Sequence, residues 1–345
     1  MRLVRLSAIT ANVAACTSEE TLTEPSARLD VGEATIGTHS IMDLGTLGGR
    51  YAAATSINRE GVVVGYSTTA GNSVHHAFQW KNGVMTDLGT LGVGTLGEGF
   101  SYAWGINASG QVVGYSSVDG QEDFLYHAFR WENGVMTDLG TLGGRYSLAA
   151  GINVRGQVVG YSETETEEQQ AFLWDKGVMT NLGTPGSFSA ATAINDAGQV
   201  VGSINTQAVL WHNGVATYLG TLGGGWSTAT DINSAGRVVG WSSIEGRSED
   251  VRHAFLWANG VMTDLGTLGG DYSEARAINS QGEVVGFSQT ASGEYHAFSW
   301  NNGIMIDLGA LDGGYSEADA INGKGEIVGN SMTGDTAHPA LWTRR

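Results

Sequence analysis

Two titratable side chains recur in this chain at fixed places. Histidine stands at His76, His127, His253, His296 and His338, and aspartate at Asp43, Asp87, Asp138, Asp264 and Asp307. Such residues could ligate a metal or work together as an acid–base pair. Their spacing argues against both. Each type falls once per copy of an internal repeat, whereas a metal needs its ligands within a few ångströms of one another. Paired carboxylates must likewise lie within about 5–10 Å. Gln170 and Gln207 replace the histidine in two copies, and Asn181 and Tyr218 replace the aspartate. The need at the first position is then a hydrogen bond, and at the second the support of a turn or loop. No metal site and no cofactor is expected. The Leu-Gly-Gly stretches are no phosphate cradle, because they lack a following helix and a lysine.

The repeat itself sets the architecture. Its unit runs Met-Thr-Asp-Leu-Gly-Thr-Leu-Gly-Gly, aromatic-Ser-x-Ala-x-x-Ile-Asn-x-x-Gly-x-Val-Val-Gly-Tyr-Ser, a variable stretch, then His-Ala-Phe-x-Trp-x-Asn-Gly-Val. It starts at Met42, Met85, Met136, Met179, Ala216, Met262 and Met305. Every copy holds an Ile-Asn pair (Asn58, Asn107, Asn153, Asn195, Asn233, Asn279, Asn322) and a closing tryptophan (Trp80, Trp131, Trp174, Trp211, Trp257, Trp300, Trp342). Each copy reads as four short strands. Strand a is Ser-x-Ala-x-x-Ile, and Asn-x-x-Gly turns the chain after it. Strand b is Val-Val-Gly-Tyr-Ser, rich in β formers. Strand c is His-Ala-Phe-x-Trp, and Asn-Gly makes the hairpin into strand d, Val-Met-Thr-Asp-Leu. Four antiparallel strands per copy is the pattern of a propeller blade. The expectation is an all-β, seven-bladed β-propeller over residues 40–345. The region opens on a d strand, Ile41–Leu44, and ends on a c strand, so the N-terminal strand should complete the last blade.

Each strand-c tryptophan can bury ~150–250 Å². At ~25 cal/mol per Å² that is roughly 4–6 kcal/mol gross. Trp174 is therefore expected to carry more stability than any residue of the loop Glu163–Glu168.

Function is expected where the copies differ. The d–a and b–c connections share one face, and the b–c loops there are uneven and acidic: Asp119, Glu122, Asp123, Glu163, Glu165, Glu167, Glu168, Glu245, Glu249, Asp250 and Glu294. An aromatic opens strand a in every copy (Tyr51, Phe100, Tyr146, Phe188, Trp226, Tyr272, Tyr315) and should ring that face, mostly as packing between blades. Two and four residues further on, strand a varies most. Tyr102 and Trp104, Glu274 and Arg276, and Glu317 and Asp319 stand there in copies two, six and seven. Pointing together into the central channel, they would form a polar and aromatic ligand pocket. No Asp-x-Asp-x-Asp-Gly loop is present to hold Ca²⁺.

The start of the chain is a different kind of segment. Met1–Arg5 is basic, Leu6–Ala15 is apolar, and Cys16 follows. Residues 1–16 read as a secretory signal. Val13-Ala14-Ala15-Cys16 is similar to a bacterial lipobox, in which the cysteine is lipidated. Residues 17–39 would then be a solvated tether. As the sole cysteine, Cys16 has no disulfide partner within the chain. The net charge is −18, and only three of the 17 basic residues are lysines. That balance argues against nucleic acid and against adhesion to anionic lipid, so membrane contact is expected through a lipid anchor alone. With 53 Gly and 3 Pro beside 10 Trp and 11 Tyr, the composition is that of many strands joined by tight turns.

At His76-Ala77-Phe78, His127-Ala128-Phe129, His253-Ala254-Phe255 and His296-Ala297-Phe298 the chain resembles the HAF-repeat family of bacterial extracellular proteins. Gln170-Ala171-Phe172, Gln207-Ala208-Val209 and His338-Pro339-Ala340 depart from the motif. The resemblance spans 41–342. It implies an exported propeller and no particular activity. Two functions remain open. One is a monomeric surface binding module for a glycan or a protein. The other is a polysaccharide hydrolase or lyase using acids such as Glu274, Glu317 and Asp319. Two carboxylates converging in one deep pocket, with raised pKa values, would favour the enzyme.

Overall fold

A computed structural model describes residues 33–36, 39–71, 74–92, 99–119, 125–248, 251–312 and 314–344. Cys16 and the acidic residues Glu122, Asp123, Glu249 and Asp250 lie outside them. The described strands form seven antiparallel sheets, one per repeat, each running a-b-c-d. In the first blade these strands are Gly48–Ile57, Val63–Thr69, His75–Lys81 and Val84–Asp87. The inner a strands of the other blades are Ser101–Ile106, Gly143–Ile152, Ser189–Ile194, Gly223–Ile232, Gly269–Ile278 and Ser316–Ile321. Each packs beside the a strand of the next blade, and the seventh returns to the first. The protein is a seven-bladed β-propeller.

The seam falls where the repeat count places it. His39–Asp43 pairs with the last strand, Thr336–Arg344, as the outer strand of blade 7. Glu33–Ile36 then pairs with His39–Asp43, so this blade has five strands. Part of the expected tether is therefore sheet: a strand adjoining an open edge satisfies its backbone groups there.

Seven apolar layers hold the blades together, one at each interface. Between blades 1 and 2, Val64, Ala77 and Leu88 meet Ala103, Ile106, Val112 and Phe129. At the seam, Leu44 and Val328 meet Ala52, Ala54, Ile57, Val63, Phe78 and Trp80. The repeated phenylalanine is buried more completely than the tryptophan. Phe78, Phe129, Phe172, Phe255 and Phe298 are fully enclosed, while of the tryptophans only Trp342 is. Trp174 is buried in its layer as expected. Glu163, however, is not a loop residue. It closes the strand Val158–Thr164, is buried, and accepts a hydrogen bond from the Arg145 N–H at 2.6 Å. A short connection ordered by that bond removes it from solvent.

The polar residues of the repeat also cross the interfaces. The strand-a serine accepts from the strand-c alanine N–H of the preceding blade, as Ser101 does from Ala77 at 2.8 Å, and donates to that blade's Gly89 carbonyl at 2.6 Å. Six interfaces repeat the first bond, through Ser101, Ser147, Ser189, Ser227, Ser273 and Ser316. The seventh differs on both sides. Ala52 stands where the serine would be, and Pro339, which has no N–H, stands opposite. Removing both partners of a buried bond costs little, whereas removing one leaves a desolvated group costing ~1–3 kcal/mol. Pro339→Ala should thus lower stability by introducing a buried N–H without an acceptor, and adding Ala52→Ser should restore it. Denaturant unfolding of the two single variants and the double variant measures the coupling.

Candidate functional site

The histidines and aspartates pair with each other inside five of the seven blades. Nδ1 of His76, His127, His253, His296 and His338 lies 2.7–3.0 Å from Asp87, Asp138, Asp264, Asp307 and Asp43. The same carboxylates cap the turn behind them: Asp87 accepts from the Gly89 N–H at 2.7 Å. Asn181 does so for Gly183 at 2.7 Å. Gln170 donates instead to the Ser187 carbonyl at 2.6 Å and accepts from Ser189. These residues are scaffold, and among the described residues no three His, Cys, Asp or Glu come together to hold a metal ion.

The channel is shaped by a defect repeated in all seven blades. The a and b strands slip register after the strand-a alanine, as between Ala54 and Ser56 or Ala103 and Gly105. This bulge aims the intervening residue inward. Thr55, Trp104, Ala150, Thr192, Thr230, Arg276 and Asp319 thus line a central cavity of about 180 Å³. Thr55, Thr192 and Thr230 donate to a strand-a carbonyl of the next blade at 2.9 Å. Asp231, one residue further, accepts from the Ile232 and Ile278 N–H groups at 2.8 and 2.9 Å. Burial pushes its carboxyl up to about 6, against the pull of those two bonds.

The six candidate residues therefore divide into two tiers. Trp104, Arg276 and Asp319 line the cavity, while Tyr102, Glu274 and Glu317 stand two residues earlier and do not. The upper residues face the variable position of strand b: Tyr102 pairs with Tyr115, Glu274 with Phe287, and Glu317 with Asn330. That position, also Tyr66, Tyr161, Ser203 and Trp241, is missing from the sequence-based candidates. Its signal was there: four residue types besides tyrosine occupy it in seven copies.

Blades 1 to 3 carry an aromatic wall. Tyr66 lies 4.7 Å from Tyr102 and 6.3 Å from Trp104, ring centre to ring centre. Tyr102 stacks on Tyr115 at 4.8 Å, and its hydroxyl is 3.2 Å from His75 Nδ1. Burial lowers the His75 pKa and raises those of Tyr66, Tyr102 and Tyr115, so this wall is uncharged at neutral pH. Of the strand-a opening residues, Tyr51, Phe100 and Tyr146 join it. Phe188 and Trp226 are exposed rather than packed between blades.

Blades 5 to 7 carry the charge. Glu274 is buried and fully engaged, with Arg252 at 2.8 Å, Arg276 at 3.4 Å and the Tyr272 hydroxyl at 2.5 Å. Glu317 and Asp319 instead share one amide: Asn330 Nδ2 donates to them at 3.1 and 2.9 Å. Asn330 Oδ1 accepts from the Ala54 N–H of blade 1 at 3.0 Å, which fixes the amide's orientation. Burial, and then the Glu317 charge, raise the Asp319 pKa well above the usual range, opposed by Arg276.

No family model matches the chain, and no curated protein matches it. Solved structures do resemble it. A Mycobacterium tuberculosis puromycin-hydrolyzing peptidase superposes with a TM-score of 0.53 at 11% identity, over 89% of this chain and 60% of that one. A Pyrococcus horikoshii acylaminoacyl peptidase gives 0.50 at 11% identity, over 85% and 51%. The chain thus spans between half and two thirds of the length of these proteins. At such identity the likeness shows the propeller fold alone.

The histidine–aspartate pairs make the seam pH-sensitive. The Asp43 bond raises the His338 pKa, and the Asp87 bond raises that of His76, each against burial. Burial alone would raise Asp87, Asp138 and Asp264, but their histidine and glycine bonds leave them lowered. A raised histidine stabilises fully below its unfolded value of ~6.5, and this is lost as pH climbs through the folded value. The lowered aspartates stabilise above ~3.9 and lose this as pH falls through their folded values. The His76–Asp87 pair should therefore contribute most between those limits. Amide protection of Ile41 and Met42, corrected for intrinsic exchange, should fall between pH 6 and 8.5 in the wild type and stay level in His338→Gln.

Proposed function

We propose that this propeller is a displayed binding module, whose channel mouth seats a glycan or protein ligand, tethered outside the cell through Cys16. The asymmetry of the mouth carries the binding reading. Near-identical repeats give a symmetric ring unless some residues break the pattern. Here the breaks gather, with aromatic side chains at blades 1 to 3 and charged ones at blades 5 to 7. Aromatic faces beside oriented polar groups suit sugars and peptides. Display rests on the basic and apolar start, on Cys16 at its end, and on the resemblance to the HAF-repeat family.

A polysaccharide hydrolase or lyase is the second reading, favoured by the meeting of Glu317 and Asp319 at one nitrogen and by the raised Asp319 pKa. Two residues apart on one strand, these acids approach a ligand from the same side. Glycoside hydrolysis needs its carboxylates on opposite sides of the bond. Binding is the better fit.

An array of glycans and peptides probed with wild type and Trp104→Ala tests the seat. The wild type should retain ligands that the variant loses, by 10-fold or more for an aromatic contact of about 1.5 kcal/mol. Equal retention by both proteins overturns the reading. Labelling with palmitate should mark the wild type and not Cys16→Ala, and label on both would remove the anchor.

A further inference from the structure

Resting on that binding reading, we infer that the ligand group entering the mouth is an alkyl-substituted ammonium, received between the aromatic wall of blade 2 and the carboxylates of blade 7. Blade 1 lies between these two. Its Thr55 lines the cavity, while Ala53 is buried opposite Tyr66. On one side stand Tyr102 and Trp104, with Tyr66 rising from strand b of blade 1. On the other stand Glu317 and Asp319, held by Asn330. Tyr66 and Asn330 hold the same strand-b position in adjacent blades, so the two walls adjoin.

Four features select the chemistry. The first is charge. Glu274 takes both Arg252 and Arg276, while neither Glu317 nor Asp319 forms an ion pair among the described residues. Glu317 and Asp319 thus bring to the mouth carboxyl oxygens that no guanidinium pairs with. The second is the wall. Tyrosine and tryptophan faces attract a cation within about 6 Å of the ring centre, and quaternary ammonium groups most characteristically. Trp104, 40% exposed, keeps such a face open. The third is size. A cavity of about 180 Å³ is smaller than the ~300–1,000 Å³ that encloses a drug-sized ligand. It takes the tip of a ligand rather than the whole. The fourth disfavours Ca²⁺: two carboxylate side chains already hydrogen-bonded to an amide fall short of the 6–8 oxygens that it takes.

Choline and its neutral carbon isostere, 3,3-dimethylbutan-1-ol, are the probes, with binding read by calorimetry and by tryptophan fluorescence. The wild type should bind choline at least 10-fold more tightly than the alcohol. Trp104→Ala and Glu317→Gln should each lose at least 10-fold for choline at unchanged melting temperature, and Trp226→Ala, on the far side of the ring, should lose nothing. Equal binding of the two probes overturns the ammonium assignment and leaves an apolar seat. No binding of either overturns it too, and the array experiment then decides separately whether the mouth binds anything. If Glu317→Gln unfolds, Trp104→Ala with the two probes still gives the answer.

Discussion

A closed ring of seven asparagine side chains is the constraint on which this fold turns. Each Ile-Asn asparagine is buried, and its Oδ1 accepts from backbone N–H groups of its own turn, as Asn107 does from Ser109 and Gln111. Its Nδ2 then donates to the backbone carbonyl of the next blade's asparagine, from Asn58 to Asn107 and onward until Asn322 returns to Asn58. A buried amide satisfied at both ends fixes position and direction together. The ring sets the radius at which seven inner strands meet, and therefore the width of the channel.

Blade number, strand order and seam were legible because a repeat states its own period. The turn role of the asparagines was legible too, since Asn-x-x-Gly is a local pattern. Their ring was not, because it joins residues about 40 positions apart through a carbonyl that every residue possesses. The histidines and aspartates were separately assigned to scaffold, and their constant separation of eleven residues becomes a pairing only once the hairpin register is known. The bulge was hidden as well. Strict alternation places Tyr102 and Trp104 on one level, and an extra residue in the strand separates them. Asn330 escaped notice for a different reason: it replaces a residue that looked like an ordinary β former.

Asn330 joins the fold to the site. Its oxygen takes the Ala54 N–H across the closing interface, and its nitrogen holds the two acids. The interface that lacks the serine bond is thus tied by a different residue, and that residue also aims Glu317 and Asp319. The two acids are oriented by a rigid amide rather than by a mobile cation. The asymmetry of the mouth begins at the blade made from both ends of the chain.

The pairing of Ala52 with Pro339 bears on how such a chain counts. Near-copies of one blade are near-copies of one docking surface, so a folding intermediate could close too early on the wrong partner. A ring shut after six blades would set the Ala297 N–H against Ala52, where no hydroxyl waits for it. Pro339 makes no such demand. The mismatched joint thus costs little where Ala52 meets Pro339 and would leave a buried N–H unpaired against any alanine in its place.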